Sequence, residues 1–194
     1  MLSVVIPTHD SERALVPTLA ALVPGAVAGV VREVIVADAG SRDATVQIAD
    51  GAGCRVLTTA GTRGAQFKAA ADAARSPWLL FLPPGSVPDA TWIDETRRFV
   101  EEAILRGCAG SYAAAFRRAP STFRPTLIEA LVLLGAALGA KPHASQGLLI
   151  SKALYDKLGG HRSDGDAPER DLIRRLGRRR IVLLRAGAMD QAST

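Results

Sequence analysis

Asp38 follows the stretch Val30 to Ala37, whose valines and isoleucine read as a strand, and is followed at once by Ala39, Gly40 and Ser41. A carboxylate at the carboxyl end of a strand can accept hydrogen bonds from a base or a ribose, and small residues after it let a ligand approach closely. The same residue types also build an Asx turn that serves only the backbone. Arg63 and Gly64 open a helix whose first backbone N–H groups are unpaired and attract anions. The Arg63 guanidinium can grip a phosphate through two parallel hydrogen bonds, and Lys68 lies about one turn further on. The next apolar run, Trp78 to Leu82, leads into Pro83-Pro84-Gly85-Ser86, with no carboxylate before Asp89. Late in the chain, Glu169 and Asp171 fall where the first turn of a helix prefers acidic side chains.

The elements that must hold these groups alternate in type. Leu2 to Ile6 is an apolar, β-branched run ended by Pro7, which reads as a buried parallel strand. A loop follows, with Asp10 or Ser11 able to cap a helix to about Leu22; Pro17 interrupts it, and Pro24, Gly25 and Gly29 close the unit. Strands at Val30 to Ala37, Arg55 to Thr58 and Trp78 to Leu82 alternate with helices from about Ala44 to Asp50 and from Gly64 to about Ala74. This βαβ order predicts an α/β fold, a mostly parallel sheet with right-handed crossovers. Beyond Asp89 the pattern is a helix to Leu105, a strand over Cys108 to Phe116 that suits antiparallel pairing, and a helix over Thr122 to Gly139. A strand at Gly147 to Ile150, a capped helix from Ser151 to Leu158, a helix from Glu169 to Leu176 and a last strand, Ile181 to Leu184, complete it. No repeat or linker divides the 194 residues, so the expectation is one domain.

Composition narrows the classes. With 48% hydrophobic and 5% aromatic residues, the chain is globular and poor in the rings that stack nucleic acid bases. The formal charge of +5 suits anionic partners such as nucleotides or phosphates, and it equally suits a genome that favours arginine. Cys54 and Cys108 have no metal-ligand spacing and read as reduced, structural thiols. The opening MLSVVIPTHD lacks the basic flank of a signal peptide, which predicts a cytoplasmic chain. Leu127 to Ala140 is apolar apart from Glu129 and shorter than the roughly 20 residues of a spanning helix. It reads as core, as a homodimer interface, or as a helix lying in the membrane interface at the inner face.

Five stretches, VVIPTHDSE, VREVIVADAGSRDAT, GTRGAQFKAAADAARSPWLLFLPPGS, QGLLISKALYDKLGGHRSD and ERDLIRRLGRRRIVLL, resemble in that order family 2 glycosyltransferases. The likeness is strongest to the small bacterial subgroup associated with radical-SAM or selenoprotein clusters. The resemblance implies a GT-A fold, with a nucleotide-binding half over about 1–90 and an acceptor half over about 91–194, and transfer of a sugar from a UDP- or GDP-linked donor by an inverting displacement. By position, it implies that Pro7, Thr8 and Asp10 line the base pocket and that Asp38 holds uracil or ribose. Gly40, Ser41, Arg63, Gly64 and Lys68 would lie near the nucleotide and diphosphate, and Gln146 and Gly147 on the acceptor side. Glu169 matches the family's general base.

Three positions depart from the family pattern. Pro83-Pro84-Gly85-Ser86 stands where an acidic motif would hold Mg²⁺ or Mn²⁺, so no metal ligands are expected there. Pro168-Glu169 replaces a Glu-Asp pair, and Ala144-Ser145-Gln146-Gly147 replaces Gly-Asp-Gln-Gly. With the acids missing, the leaving diphosphate needs Arg63, Lys68 or another cation, and the alternative is a degenerate member that binds a nucleotide or partner without transferring sugar. His143 and His161 are polar residues of the acceptor half that read as structural.

Overall fold

The computed structural model describes residues 1–118, 147–163 and 167–190. Leu127 to Ala140, His143, Ser145 and Gln146 lie outside the described residues. β1 (Leu2–Thr8) is central: β2 (Val31–Asp38) pairs with it on one side and β4 (Trp78–Phe81) on the other, both parallel. β3 (Arg55–Thr58) pairs parallel with β2. β1 is buried along its whole length, which is why its sequence is a continuous apolar run and not an alternating one. From β1 the chain passes through α1 (Glu12–Val27), β2, α2 (Thr45–Gly51) and β3, and α3 (Arg63–Ala73) then returns it across β1 to β4. That reversal of direction between β1 and β4 is the place where an open α/β sheet receives a ligand, beyond the carboxyl ends of its strands.

Both faces of the sheet are covered. Val4, Ile6 and Leu80 face Leu15 and Leu22 of α1 and Trp92 of α4 (Trp92–Leu105). On the other face Val5, Ile35 and Phe81 meet Phe67, Ala70 and Ala71 of α3. The alanines keep α3 close to the strands, so its first turn lies directly over the ligand end of the sheet. α1 runs past Pro17 and Pro24 to Val27, beyond the stop at Leu22 expected from the sequence. Packing overrides the prolines there: Trp92 seats against Gly25, where an added Cβ would come within 2.5 Å of its ring, and its Nε1–H donates to the Ala21 carbonyl at 3.2 Å.

Beyond β4 the sheet turns antiparallel. β7 (Leu148–Ser151) pairs antiparallel with β4 and with β6 (Ala113–Arg118). β6 pairs parallel with β8 (Ile181–Asp190), and β5 (Ser86–Pro88) lies antiparallel at the edge beside β8. The order is β3-β2-β1-β4-β7-β6-β8-β5. β5 was not expected, because its only partner lies about 100 residues away; Pro88 is tolerated because an edge strand need not donate on both sides. β8 continues six residues past Leu184, and Asp89 fastens it: the Asp89 N–H donates to the Gly187 carbonyl at 2.8 Å, and the Gly187 N–H donates to the Asp89 carboxylate at 2.5 Å.

α5 (Lys152–Lys157) is capped by the Ser151 hydroxyl, as the sequence predicts, and α6 (Pro168–Leu176) packs Leu172 and Leu176 into the core beside α3. Cys54 is buried, which pushes its thiol up to about 11, and both cysteines are free. Among the described residues no helix is long and apolar enough to cross a membrane. The start of α3 is fitted to the segment before α6. Thr62 caps α3, accepting from the Ala65 N–H, and its hydroxyl donates to the Ser163 carbonyl at 2.6 Å. A Cβ on Gly64 would lie 1.8 Å from the Arg162 carbonyl oxygen. Gly64→Ala should therefore force two backbones apart and lower stability by about 1–3 kcal/mol; an unchanged urea midpoint would contradict this packing.

Candidate functional site

The loops after β1 and β2 are bound into one unit around Asp38. Its side chain is 1% exposed and takes part in four hydrogen bonds. One oxygen accepts from the Thr8 and Ser41 hydroxyls, and the other from the backbone N–H groups of Gly40 and Ser41. Burial by itself raises the pKa of Asp38, but the bonds from Ser41, Thr8 and Gly40 outweigh it and hold the group below the ordinary value. A carboxylate offers about four acceptor positions, and here Thr8 at the end of β1 and the turn Gly40-Ser41 fill them. Asp10 has φ 45°; its N–H donates to Ser41 Oγ at 2.9 Å, and its carboxylate accepts from the Arg42 N–H at 2.7 Å. The Ser11 N–H donates to Thr45 Oγ1, the Glu12 N–H to Asp43, and the Ala44 N–H to Glu12, which completes the latch between the loops.

Gln66 was missed in the sequence and is the link between these loops and α3. It is 5% exposed, and its Nε2 donates to the carbonyls of Thr8 (2.8 Å) and Ala37 (2.7 Å), tying the ends of β1 and β2 together. The available signal was a polar side chain in the buried stripe Phe67, Ala70, Ala71, Ala74. A buried polar group must be satisfied, and at the end of two strands the partners are backbone carbonyls.

Arg63 and Glu169, 106 residues apart, meet in an ion pair: Arg63 Nε donates to Glu169 Oε1 at 2.6 Å. The side chains are 42% and 16% exposed, so the carboxylate is the more enclosed partner. The guanidinium also lies over the Phe67 ring, 5.4 Å from its centre. Lys68 is not part of this group. It pairs with Asp72 at 2.5 Å, on a depression shared with Gly159, Arg162 and Ser163.

Beside the ion pair, Phe81, Pro83, Gly147, His161, Glu169 and Ile173 line a cleft at the carboxyl end of β4. Gly147 has φ 78°, and a Cβ there would come 2.6 Å from Leu82, so glycine is required on both counts. His161 is 3% exposed, stacked on Phe67 with ring centres 4.3 Å apart. Arg175, in the arginine-rich last turn of α6, is only 18% exposed. It donates to Asp171 and to the carbonyls of Leu158 and Gly160, fixing the turn that carries His161.

An open parallel sheet with a reversal point, continued by antiparallel strands and flanked by helices, is the GT-A-like glycosyltransferase fold. The model of Glycosyl transferase family 2 matches residues 3–103, and the chain belongs to that family. It is similar to TarS 1–349 of S. aureus, with a TM-score of 0.71 and 17% identity over 98% of this chain and 60% of that one. A structure of the same TarS with UDP-GlcNAc gives a TM-score of 0.68 at 17% identity, covering 97% of this chain and 58% of that one. Glucosyl-3-phosphoglycerate synthase from Mycobacterium tuberculosis, in complex with Mn²⁺, UDP and glucosyl-3-phosphoglycerate, gives 0.65 at 21% identity over 94% of this chain and 68% of that one. Comparison with curated protein sequences gives no match.

Residues 83–86 do not fit a metal ion of the kind that the mycobacterial structure contains. Pro83, Pro84 and Gly85 offer no side-chain ligand, and Ser86 is buried. The Gly85 N–H donates to the Ala14 carbonyl and Thr18 Oγ1, both at 2.9 Å, which turns this segment toward α1. Among the described residues no three His, Cys, Asp or Glu side chains converge to hold a metal.

The depressed pKa of Asp38 gives a pH signature. Its contribution to stability is present above the unfolded value, about 3.9, and is lost as pH falls through the lower folded value. Asp38→Asn should cost about 1.5–3 kcal/mol at pH 7, with a gap from wild type that narrows as pH falls below about 4. A gap independent of pH in urea melts would contradict the bonding described.

Proposed function

We propose that this chain transfers a sugar from a nucleoside diphosphate donor, UDP- or GDP-linked, to an acceptor hydroxyl by an inverting displacement. The observation that carries this reading is the meeting of Arg63 and Glu169 at the reversal point of a family 2 domain. The base lies against the unit formed by Pro7, Thr8, Asp10, Gly40 and Ser41. Asp38 shapes that pocket, and it reaches ribose or uracil only by giving up one of its four bonds. The diphosphate takes the Arg63 guanidinium at the start of α3, where backbone N–H groups add to the attraction.

A diphosphate carries more charge than one carboxylate, so donor binding draws Arg63 away from Glu169. The freed carboxylate then removes the proton of the acceptor hydroxyl as that oxygen attacks the anomeric carbon and the nucleoside diphosphate leaves. The base is thus armed only when the donor is present. Gly147 lies on the acceptor side, with Gln146 before it. Peripheral membrane contact or pairing of two copies would use Leu127 to Ala140, and the motif order supports the radical-SAM-associated subgroup. Support for a nucleotide sugar comes from the similar folds, solved with UDP or UDP-GlcNAc.

The second reading, a member that binds a nucleotide or partner without transfer, is favoured by the proline and glycine at 83–85. Calorimetry with UDP and GDP, with and without Mn²⁺, together with UDP release from UDP-glucose, separates the two. Binding that does not need Mn²⁺ is expected. Arg63→Ala should weaken it on the order of 10- to 100-fold, and Glu169→Gln should slow UDP release by roughly 100-fold or more. Binding without turnover selects the second reading, and no binding of either nucleotide overturns both.

A further inference from the structure

His161 is held more exactly than a residue that only fills space requires. Its backbone N–H donates to Tyr155 Oη at 2.9 Å, and the same oxygen lies 3.0 Å from His161 Nδ1. Tyr155 is fully buried, and its hydroxyl has a single proton to give. The backbone N–H already occupies an acceptor position of that oxygen, so the hydroxyl donates to Nδ1, its one acceptor among the described residues. A neutral imidazole whose Nδ1 accepts carries its proton on Nε2.

The neutral form is the one present. Burial, and then the guanidinium groups of Arg175 and Arg63, push the His161 pKa down to about 3 against the opposing charge of Asp171. The ring cannot turn freely: Phe67 stacks on it at 4.3 Å and 18°, and Phe81 meets it edge to face at 4.8 Å and 78°. Nε2 has no hydrogen-bond partner among the described residues. Ser76 Oγ and Thr96 Oγ1 are the polar side-chain atoms sealed without a partner there, and Nε2 is not among them. The 3% exposed ring lines two openings, the cleft with Glu169 and Gly147 and the depression with Lys68 and Arg162, and of the two the cleft is the one that Glu169 also lines.

We infer that His161 Nε2–H donates a hydrogen bond to a hydroxyl oxygen of the sugar that the nucleotide carries, making His161 a sugar-selecting residue. This rests on the donor reading above. The cleft has a volume of about 20 Å³, room for a water and not a sugar, so a sugar reaches the His161 ring there only once the diphosphate has drawn Arg63 away from Glu169. Phe67, one turn along α3 from Arg63, carries the His161 ring on its face. A neutral donor that neither accepts nor charges rewards an oxygen lone pair at one place, and a deoxy position there leaves it unpaired.

The test is calorimetry with UDP and GDP against UDP-glucose, UDP-N-acetylglucosamine and GDP-mannose, on wild type, His161→Phe and His161→Gln. His161→Phe keeps a ring between Phe67 and Phe81, and His161→Gln keeps an N–H near the Nε2 position. The expected result is unchanged affinity for the free nucleotide in all three proteins. The affinity ratio of the best sugar nucleotide to its free nucleotide should fall roughly 2- to 10-fold in His161→Phe and be retained in His161→Gln. In ¹⁵N spectra of wild type, the ring should keep the Nε2–H form from pH 5 to 8, and Nε2 should shift with the sugar nucleotide but not with the free one. An unchanged ratio in His161→Phe, or an Nδ1–H ring, overturns the inference while leaving the donor reading standing. Failure of wild type to bind any nucleotide overturns both. If His161→Phe does not fold, the ¹⁵N spectra decide.

Discussion

The ion pair between Arg63 and Glu169 is the contact on which the rest of the site depends. It joins α3, the helix that returns the chain across the sheet, to α6, late in the chain. A partly exposed pair of this kind adds only about 0–1 kcal/mol to stability. α3 and α6 are docked by other means, the burial of Phe67, Leu172 and Leu176 and the close approach of Gly64 to Arg162. The pair is therefore free to serve chemistry. It keeps a carboxylate from standing uncompensated in an enclosed cleft, and it keeps a guanidinium aimed at the place where a diphosphate would sit.

Around that pair stand several buried polar groups that have found specific partners. Asp38 closes the turn after β2 and holds Thr8; Gln66 ties the same two strand ends to α3. Arg175 fixes the turn at Leu158 and Gly160, and Tyr155 fixes the ring of His161. Each is a local solution to the cost of burying a polar group. What they leave at the carboxyl end of β4 is the Arg63–Glu169 pair and, on the inference above, His161 Nε2. Those are a cation, a carboxylate and a neutral donor.

Much of this was legible in the sequence. β3 has the bounds read from its residues, and β1 and β4 differ from theirs by one or two, because continuous apolar runs between turns leave little choice of register. Arg63 and Glu169 were both singled out from the sequence, although nothing local showed that they would bond to each other. The misses share a cause. The end of α1 follows Trp92 and not Pro24, and β5 exists because β8 comes beside it. His161 read as structural, and it is: its second nitrogen becomes visible only once Tyr155 has claimed the first. Long-range partners decide these cases, and a local pattern does not contain them.

The most direct measurement is a double-mutant cycle on UDP affinity, with Glu169→Gln made in the wild-type and Arg63→Ala backgrounds. If the diphosphate and Glu169 compete for one guanidinium, removing the carboxylate charge should tighten UDP binding in wild type and have no effect once Arg63 is gone. Weaker or unchanged UDP binding in Glu169→Gln, or the same gain in both backgrounds, would contradict the coupling of Arg63 to the base.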